Sequence, residues 1–287
     1  MSPTVLITII SLSLLALVSA IILYFVAQKF KIFEDPRIDE VQAVLPAANC
    51  GGCGFAGCRN FAEALVAADT FEGLNCPVGG ADTMGAAAKI LGKEALHVDP
   101  LVAVLLCNGT PEFRPRTSRY DGAGDCRISN NLYMGETDCS YGCMRHGDCV
   151  RACSFDAMYM DGTSQLPVII DEKCVACGAC VKACPRDLIE LRKKAKKDRK
   201  IYVACSNCDK GGPAKRACNV ACTGCTKCVK VCAFDAIKIE NNLAYIDAVK
   251  CTFCRKCVTE CPTNAIIEIN FPSIKLKEEI LEESLNK

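Results

Sequence analysis

Most of the cysteines in this chain stand in short runs of regular spacing. Two runs, at 174–185 and 251–262, each contain three cysteines separated by two residues, a fourth after three more residues, and a proline. A third run at 222–232 repeats the spacing without the proline, and a looser one covers 139–153. Thiolates at this spacing bind a ferredoxin-type [4Fe–4S] cluster, and the fourth cysteine ligates the neighbouring cluster. Each run therefore requires a partner run.

The runs form a tandem duplication. The segment from Cys139 aligns without gaps with the segment from Cys218, and Cys184 lies 77 residues before Cys261. This predicts two ferredoxin-like modules of two clusters each. Exchange of the fourth cysteine within each module predicts four ligand sets: Cys139, Cys143, Cys149 with Cys184; Cys174, Cys177, Cys180 with Cys153; Cys222, Cys225, Cys228 with Cys261; and Cys251, Cys254, Cys257 with Cys232. Because the alignment places Cys218 opposite Cys139, Cys218 is an alternative to Cys225.

A fifth set of four cysteines precedes the duplication. Cys50, Cys53, Cys58 and Cys76 lie in a glycine-rich segment. Glycines let the backbone approach a cluster closely and leave N–H groups free to bond its sulfur atoms. Zinc also binds four cysteines, but this spacing and the glycines favour a [4Fe–4S] cluster.

Five cysteines remain outside these sets. Apolar runs lead into Cys107 and Cys205, which predicts an additional strand ending in cysteine in each repeat. Four of the five, Cys107, Cys126, Cys205 and Cys218, are candidates for a sixth cluster across the repeat boundary. The alternative is that they are buried free thiols, which behave as small apolar side chains.

The cysteine runs are preceded by an apolar segment near the start of the chain. Residues 5–27 contain no charge and are long enough to span a bilayer. We predict a single transmembrane helix; a cleaved signal peptide and a buried helix of a soluble protein are the alternatives. Lys29 and Lys31 follow the segment, so the positive-inside rule places the body in the cytoplasm, at the inner membrane.

The remaining sequence predicts an α+β protein. Helices are expected after Asp35, over about 59–68 and over about 81–96, and strands are expected around the cysteine runs. The predicted divisions are an anchor (1–30), a small helical four-cysteine domain (31–98), a linker and strand region (99–138), module 1 (139–191), a basic linker (192–217), module 2 (218–271) and a charged tail (272–287). The basic run at 192–200 is either a solvated hairpin tip or a docking surface for an acidic electron carrier or anionic lipid.

Composition limits the class of function. Cysteine supplies 25 of 287 residues at metal-ligand spacing, which indicates reduced thiols in a reducing compartment. The net charge of +1 gives no indication of nucleic-acid binding. Since the sequence also lacks motifs for dinucleotides, phosphate loops or nucleophile elbows, it indicates an electron carrier without a substrate-transforming site.

The chain resembles the B subunits of Rnf complexes over nearly its whole length. The resemblance is carried by a membrane segment, then LPAANCGGCGFAGC with the distal Cys76 and Pro77, then DCSYGC, GDCVRAC and FDAM. It implies an ion-translocating ferredoxin:NAD⁺ oxidoreductase, in which this subunit takes electrons from soluble reduced ferredoxin and relays them to membrane, flavin- and NAD-handling subunits. The alternatives are a membrane-anchored polyferredoxin of another redox enzyme and, more remotely, a structural zinc or interaction protein.

Overall fold

A computed structural model of the chain describes residues 3–29, 35–94 and 99–272. Lys31 and all but the first residue of the predicted charged tail lie outside these ranges. The described residues form helices and two-stranded antiparallel sheets, a mixture that fits the α+β class.

The first helix is long and apolar. Helix α1 spans Pro3–Lys29, and its stretch Ile9–Lys29 is long and apolar enough to cross a membrane. Its large apolar side chains, such as Leu12, Leu15 and Leu23, do not pack against the rest of the chain. A helix that exposes so many large apolar side chains needs an apolar environment, as expected of a membrane helix.

Three helices form a small N-terminal domain after α1. They are α2 (Arg37–Val44), α3 (Cys58–Ala67) and α4 (Gly80–Leu91). Phe61, Leu65 and Met84 lie in their common core. Lys93 closes the end of α3, because its Nζ donates to the carbonyl oxygens of Leu65 (2.8 Å) and Val66 (3.3 Å).

The rest of the described chain repeats one arrangement twice. In the first half, β1 (Leu101–Leu105) pairs with β4 (Ile189–Lys193), and β2 (Met158–Met160) pairs with β3 (Pro167–Ile169). In the second half, β5 (Lys200–Val203) pairs with β8 (Ile266–Ile269), and β6 (Ile237–Glu240) pairs with β7 (Leu243–Ile246). Short helices accompany the strands: α5 (Cys126–Leu132), α6 (Asp148–Arg151), α7 (Ala179–Ala183), α8 (Gly211–Ala217), α9 (Lys227–Lys230) and α10 (Lys256–Thr259).

The strands β1 and β5 lie outside the cysteine runs, as their apolar sequences predict. Each is antiparallel to the last strand of its own half, so it extends the fold of that half beyond the predicted module boundary. Val104 of β1 and Tyr202 of β5 share a buried apolar cluster. The two halves therefore pack against each other through this pair of strands.

The two ends of the basic run at 192–200 belong to this packing, whereas Lys193, Lys196 and Lys197 between them are exposed. Arg192 is buried, and its guanidinium lies 5.6 Å from the ring centre of Tyr202 and 5.1 Å from that of Tyr245. Lys200 is also buried and forms an ion pair with Asp171 at 2.5 Å. Since these charges join the two halves of the chain, much of the run is not a free surface.

Candidate iron–sulfur cluster sites

The cysteines gather around cavities inside the two halves. All 25 are among the described residues and are free thiols. Four cavities are each lined by four cysteines. We number these groups by position along the molecule: group 2 is Cys153, Cys174, Cys177 and Cys180; group 3 is Cys126, Cys143, Cys149 and Cys184; group 4 is Cys107, Cys139, Cys205 and Cys218; and group 6 is Cys232, Cys251, Cys254 and Cys257.

Two further groups follow the sets predicted from sequence, and three members of each share a core cluster: Cys53, Cys58 and Cys76 in group 1, and Cys222, Cys228 and Cys261 in group 5. Group 1 comprises Cys50, Cys53, Cys58 and Cys76, and group 5 comprises Cys222, Cys225, Cys228 and Cys261. Burial raises the pKa of Cys76, and neighbouring Cys53 and Cys58 raise it further. Burial raises the pKa of Cys228 to about 11, with further contributions from the other three members of group 5. A thiol affects its neighbour in this way only at short range.

Group 3 differs from the ligand set predicted for the first module. The cysteine spacing predicts Cys139 as the fourth ligand beside Cys143, Cys149 and Cys184. In the structure, the cavity lined by Cys143, Cys149 and Cys184 is completed by Cys126. Burial raises the pKa of Cys149 to about 12, and Cys126 is the largest contributor among its cysteine neighbours. Cys139 instead lines the cavity of group 4, where the sequence analysis expects Cys126. The two cysteines thus exchange places.

The position of Cys126 follows from its local structure. Asp125 caps helix α5, because its carboxylate accepts from the backbone N–H groups of Arg127 and Ile128 at 2.9 Å. The backbone N–H of Cys126 donates to Asp148 at 2.9 Å, which ties the start of α5 to that of α6. Asp148 precedes Cys149, so the tripeptide Gly-Asp-Cys occurs at both helix starts. That repetition is the sequence signal that identifies Cys126.

Group 1 is built on the start of α3. The Asn49 side-chain oxygen accepts from the backbone N–H of Cys58 at 2.8 Å, which caps the helix and fixes this cysteine. Cys76 is buried in the core of the N-terminal domain. The backbone N–H of Gly79 donates to its sulfur at 3.3 Å. The glycine-rich loop, the start of α3 and the segment before α4 therefore supply the cysteines of group 1.

The surroundings of the sulfur atoms fit [4Fe–4S] clusters. Within the three described ranges, no group of three Cys, His, Asp or Glu side chains is placed to hold a single metal ion. A cluster of four irons is larger and needs cysteines on different sides of a cavity, together with N–H donors to its sulfur atoms. Such donors contact a cysteine sulfur in groups 3, 4 and 5: Leu188 to Cys184 (3.4 Å), Asn207 to Cys205 (3.4 Å) and Ala244 to Cys222 (3.5 Å).

The groups adjoin one another in a row. The pKa of Cys177 in group 2 is raised by burial and further by Cys50 of group 1. Cys180 of group 2 likewise contributes to the raised pKa of Cys149 in group 3, and Cys228 of group 5 contributes to that of Cys257 in group 6. Group 4 lies between the halves, since Cys107 raises the pKa of Cys143 in group 3 and Cys205 packs against the core cluster that contains Cys222 of group 5. The order along the molecule is therefore 1, 2, 3, 4, 5, 6.

Two cysteines at the far end of the row reach the surface. Cys225 of group 5 and Cys254 of group 6 are the exposed members of the whole set of 25. Lys227, Lys230 and Lys256, which follow these two cysteines within five residues, are also exposed. This end of the molecule therefore combines exposed cysteines with exposed lysines.

Comparison with known proteins agrees with this chemistry. Residues 45–78 match a family model named FeS, for an Fe-S cluster; residues 167–190 match a 4Fe-4S binding domain; and residues 221–265 match a 4Fe-4S dicluster domain. The matched segments contain groups 1, 5 and 6, three members of group 2 and one of group 3.

Curated relatives cover most of the chain. The B subunit of the Na(+)-translocating ferredoxin:NAD(+) oxidoreductase complex of Acetobacterium woodii is 43% identical over 82% of this chain and 69% of its own length. The B subunit of the proton-translocating ferredoxin:NAD(+) oxidoreductase complex of Clostridium ljungdahlii is 39% identical over 85% and 84%. The B subunit of the ion-translocating oxidoreductase complex of Methanosarcina acetivorans is 37% identical over 80% and 85%.

Proposed function

The chain belongs to the B subunits of Rnf-type ion-translocating oxidoreductase complexes, and we propose that it carries electrons from reduced ferredoxin to the membrane partners through a row of clusters. The family and its 4Fe-4S domains make it an iron–sulfur electron-transfer subunit of such a complex. It therefore acts within a ferredoxin:NAD⁺ oxidoreductase and carries electrons for chemistry done by other subunits.

Five of the groups hold the clusters of this proposal: 1, 2, 3, 5 and 6. Clusters bound there supply one-electron storage and transfer. The chain positions them, excludes water with the apolar residues of each cavity, and donates N–H groups to the ligand sulfurs. Cys126 replaces Cys139 in the proposed ligand set of module 1.

Contact between the N-terminal domain and module 1 is the observation that carries the proposed route. Gly52, in the loop of group 1, packs directly on the backbone of Cys177 in group 2. Because electron tunnelling weakens steeply with distance, this contact makes group 2 the direct exchange partner of group 1. Helix α1 precedes the domain of group 1. Group 1 is therefore the end of the row nearest the membrane anchor, where the partner subunits collect electrons.

The opposite end receives electrons. Cys225 and Cys254 are exposed beside lysines, an arrangement that suits an acidic protein carrier such as ferredoxin. We prefer this surface to the basic run at 192–200, because Arg192 and Lys200 of that run are buried and the run contains no cysteine. We place the whole body on the cytoplasmic side because Lys29 follows the apolar stretch and the thiols require a reducing compartment.

Replacing Cys58 with serine in the assembled complex tests the route. Loss of the group 1 cluster should abolish ferredoxin-driven NAD⁺ reduction, while ferredoxin still reduces the remaining clusters, as seen by electron paramagnetic resonance. Cys208→Ser is the matched control, because Cys208 belongs to none of the six groups. If Cys58→Ser loses its cluster and NAD⁺ reduction continues at the normal rate, the proposed order is wrong.

A further inference from the structure

We propose that group 4 binds a sixth [4Fe–4S] cluster, and that this cluster is the electron link between the two halves of the chain. The four sulfurs line one cavity, and Cys107, Cys139 and Cys218 are buried while Cys205 is half-buried. The set differs from the one expected from sequence, because it takes Cys139 and releases Cys126.

The ligands come in matched pairs from the two repeats. Cys107 follows β1, and Cys205 follows β5, which occupies the equivalent place in the second half. Cys139 and Cys218 occupy aligned positions at the start of the two repeats. Each half thus contributes the same two positions. A four-ligand site assembled by symmetry at an interface is better explained by a shared group than by chance burial of four thiols.

The backbone fixes this interface. The backbone N–H of Asn108 donates to the carbonyl of Ala204 at 2.9 Å, and the Ser206 hydroxyl donates to the carbonyl of Leu106 at 3.0 Å. These bonds join the residues on either side of Cys107 to those on either side of Cys205. Two ligands from different halves are therefore held together before any metal binds.

A buried cation in the cavity wall indicates that the occupant is an anion. Arg114 is 2% exposed and lines the cavity, and its Nε has no hydrogen-bond partner. A charged group is costly to bury unless an opposite charge is near it. Four thiolates around a [4Fe–4S] core carry net negative charge, whereas four neutral thiols carry none. The cluster supplies Arg114 with a negative counter-charge.

Room for this arginine is built into two loops. A Cβ placed on Gly142 would overlap Arg114 Nη1, and one placed on Gly109 would lie 3.1 Å from Nε. Arg114 Nη2 donates to the carbonyl of Cys143 in group 3 at 2.5 Å. In addition, Asn207 Nδ2 donates to the sulfur of Cys139 at 3.6 Å. The polar groups around the cavity are directed at its sulfur atoms and at the neighbouring site.

Group 4 closes the gap in the route, and this part of the inference rests on the proposed function. Cys205 packs against the core cluster that contains Cys222 of group 5, and Arg114 lines the cavity of group 4 and donates to the carbonyl of Cys143 in group 3. Each transfer moves one electron, so that one cluster is oxidised as the next is reduced, and no proton or bond is exchanged. Group 4 is therefore the site that lies between group 3 of the first half and group 5 of the second half.

The test is the metal content of the full-length chain after anaerobic reconstitution with iron and sulfide. Six clusters require about 24 irons with matching sulfide, and five require about 20. The double variant Cys107→Ala/Cys218→Ala should lose about four irons, with the spectra of the other clusters retained. Cys208→Ser, which removes the cysteine outside all six groups, should lose none.

The outcomes separate this site from the proposed function. A fully loaded wild-type chain with about 20 irons, or one zinc in place of the sixth cluster, overturns the inference even if ferredoxin-driven NAD⁺ reduction is normal. If the double variant fails to fold, the wild-type count decides alone. A chain with about 24 irons that ferredoxin cannot reduce retains the site and contradicts the route. In the intact route, the double variant leaves groups 1 to 3 oxidised when ferredoxin reduces groups 5 and 6.

Discussion

A Cβ placed on Gly52 would lie 3.0 Å from both the Cα and the carbonyl oxygen of Cys177. Contacts this short leave no space for a side chain, so Gly52 lets the loop of group 1 lie on the loop of group 2. The N-terminal domain and the first module therefore meet at a point where two ligand loops touch.

Replacing Gly52 with valine should separate these loops. Overpacking of this kind costs about 1–3 kcal/mol, which weakens the docking of the N-terminal domain on the first module. We expect unchanged iron content and a several-fold slower ferredoxin-driven NAD⁺ reduction in the assembled complex. Gly85→Val is the control, because a Cβ at Gly85 on α4 meets no atom within 4 Å. Equal rates for the two variants would show that the contact does not lie on the route.

Pairs of substitutions can identify the fourth ligand of group 3. If Cys126 and Cys143 share one cluster, the double alanine variant loses about four irons, as each single variant does. If Cys139 and Cys143 belong to different clusters, their double variant loses about eight. Iron and sulfide analysis of the three single and two double variants measures this. A loss of about eight irons for the Cys126/Cys143 pair and about four for the Cys139/Cys143 pair would instead support the ligand set predicted from sequence.

The ion pair of Lys200 and Asp171 should stabilise the packing of the two halves. Both side chains are close to nine-tenths buried. Lys200→Met leaves a buried carboxylate without a partner, at a cost of about 3–5 kcal/mol. The visible absorbance of the clusters should then be lost at a lower temperature. The double variant Lys200→Met/Asp171→Leu should recover most of the loss, because burying two apolar side chains carries no such penalty.

Charge reversal should weaken ferredoxin binding at the exposed end of the row. For Lys227→Glu/Lys256→Glu we expect a higher KM for ferredoxin, an unchanged maximal rate and a weaker dependence on salt. Kinetics of NAD⁺ reduction at several ionic strengths measure all three. The control is Lys89→Glu, an exposed lysine on α4 of the N-terminal domain. A KM that changes equally in the control would place docking elsewhere.

Arg114 should raise the reduction potential of the clusters beside it. Arg114→Gln removes a buried positive charge, and the reduced cluster, which is more negative, loses more stabilisation than the oxidised one. The potential of one cluster should fall by on the order of 50 mV. Redox titration followed by electron paramagnetic resonance measures the change. Arg114→Lys keeps the charge and should retain most of the potential; an equal fall in both variants would indicate loss of packing.

Local patterns in the sequence predict the parts of the sites that are local in the chain. Three cysteines within seven residues, as in group 6, share one loop and are brought together by that loop alone. The apolar runs before Cys107 and Cys205 likewise predict β1 and β5, because a short buried strand needs only a few apolar residues. Helix α3 at Cys58–Ala67 lies within one residue of the predicted range.

The exchange of Cys126 and Cys139 depends on contacts that no local pattern contains. Cys126 begins helix α5 and Cys139 lies in a loop, but both precede Cys143, and the spacing allows either to complete its cluster. The choice depends on the bond from Cys126 to Asp148 and on the packing of the second half against Cys139. The burial of Arg192 and Lys200 has the same origin, since a basic run in sequence carries no sign of the partner strands.

The shared ligation of group 4 has a consequence for how the protein matures. During synthesis the first half leaves the ribosome with Cys107 and Cys139 but without Cys205 and Cys218, so this site has only half of its ligands until the second half has been made and folded. Groups 1 to 3 draw on the first 184 residues alone and can be loaded earlier. Cluster insertion at the junction is therefore a late step of biogenesis, and it locks the two halves in their final arrangement.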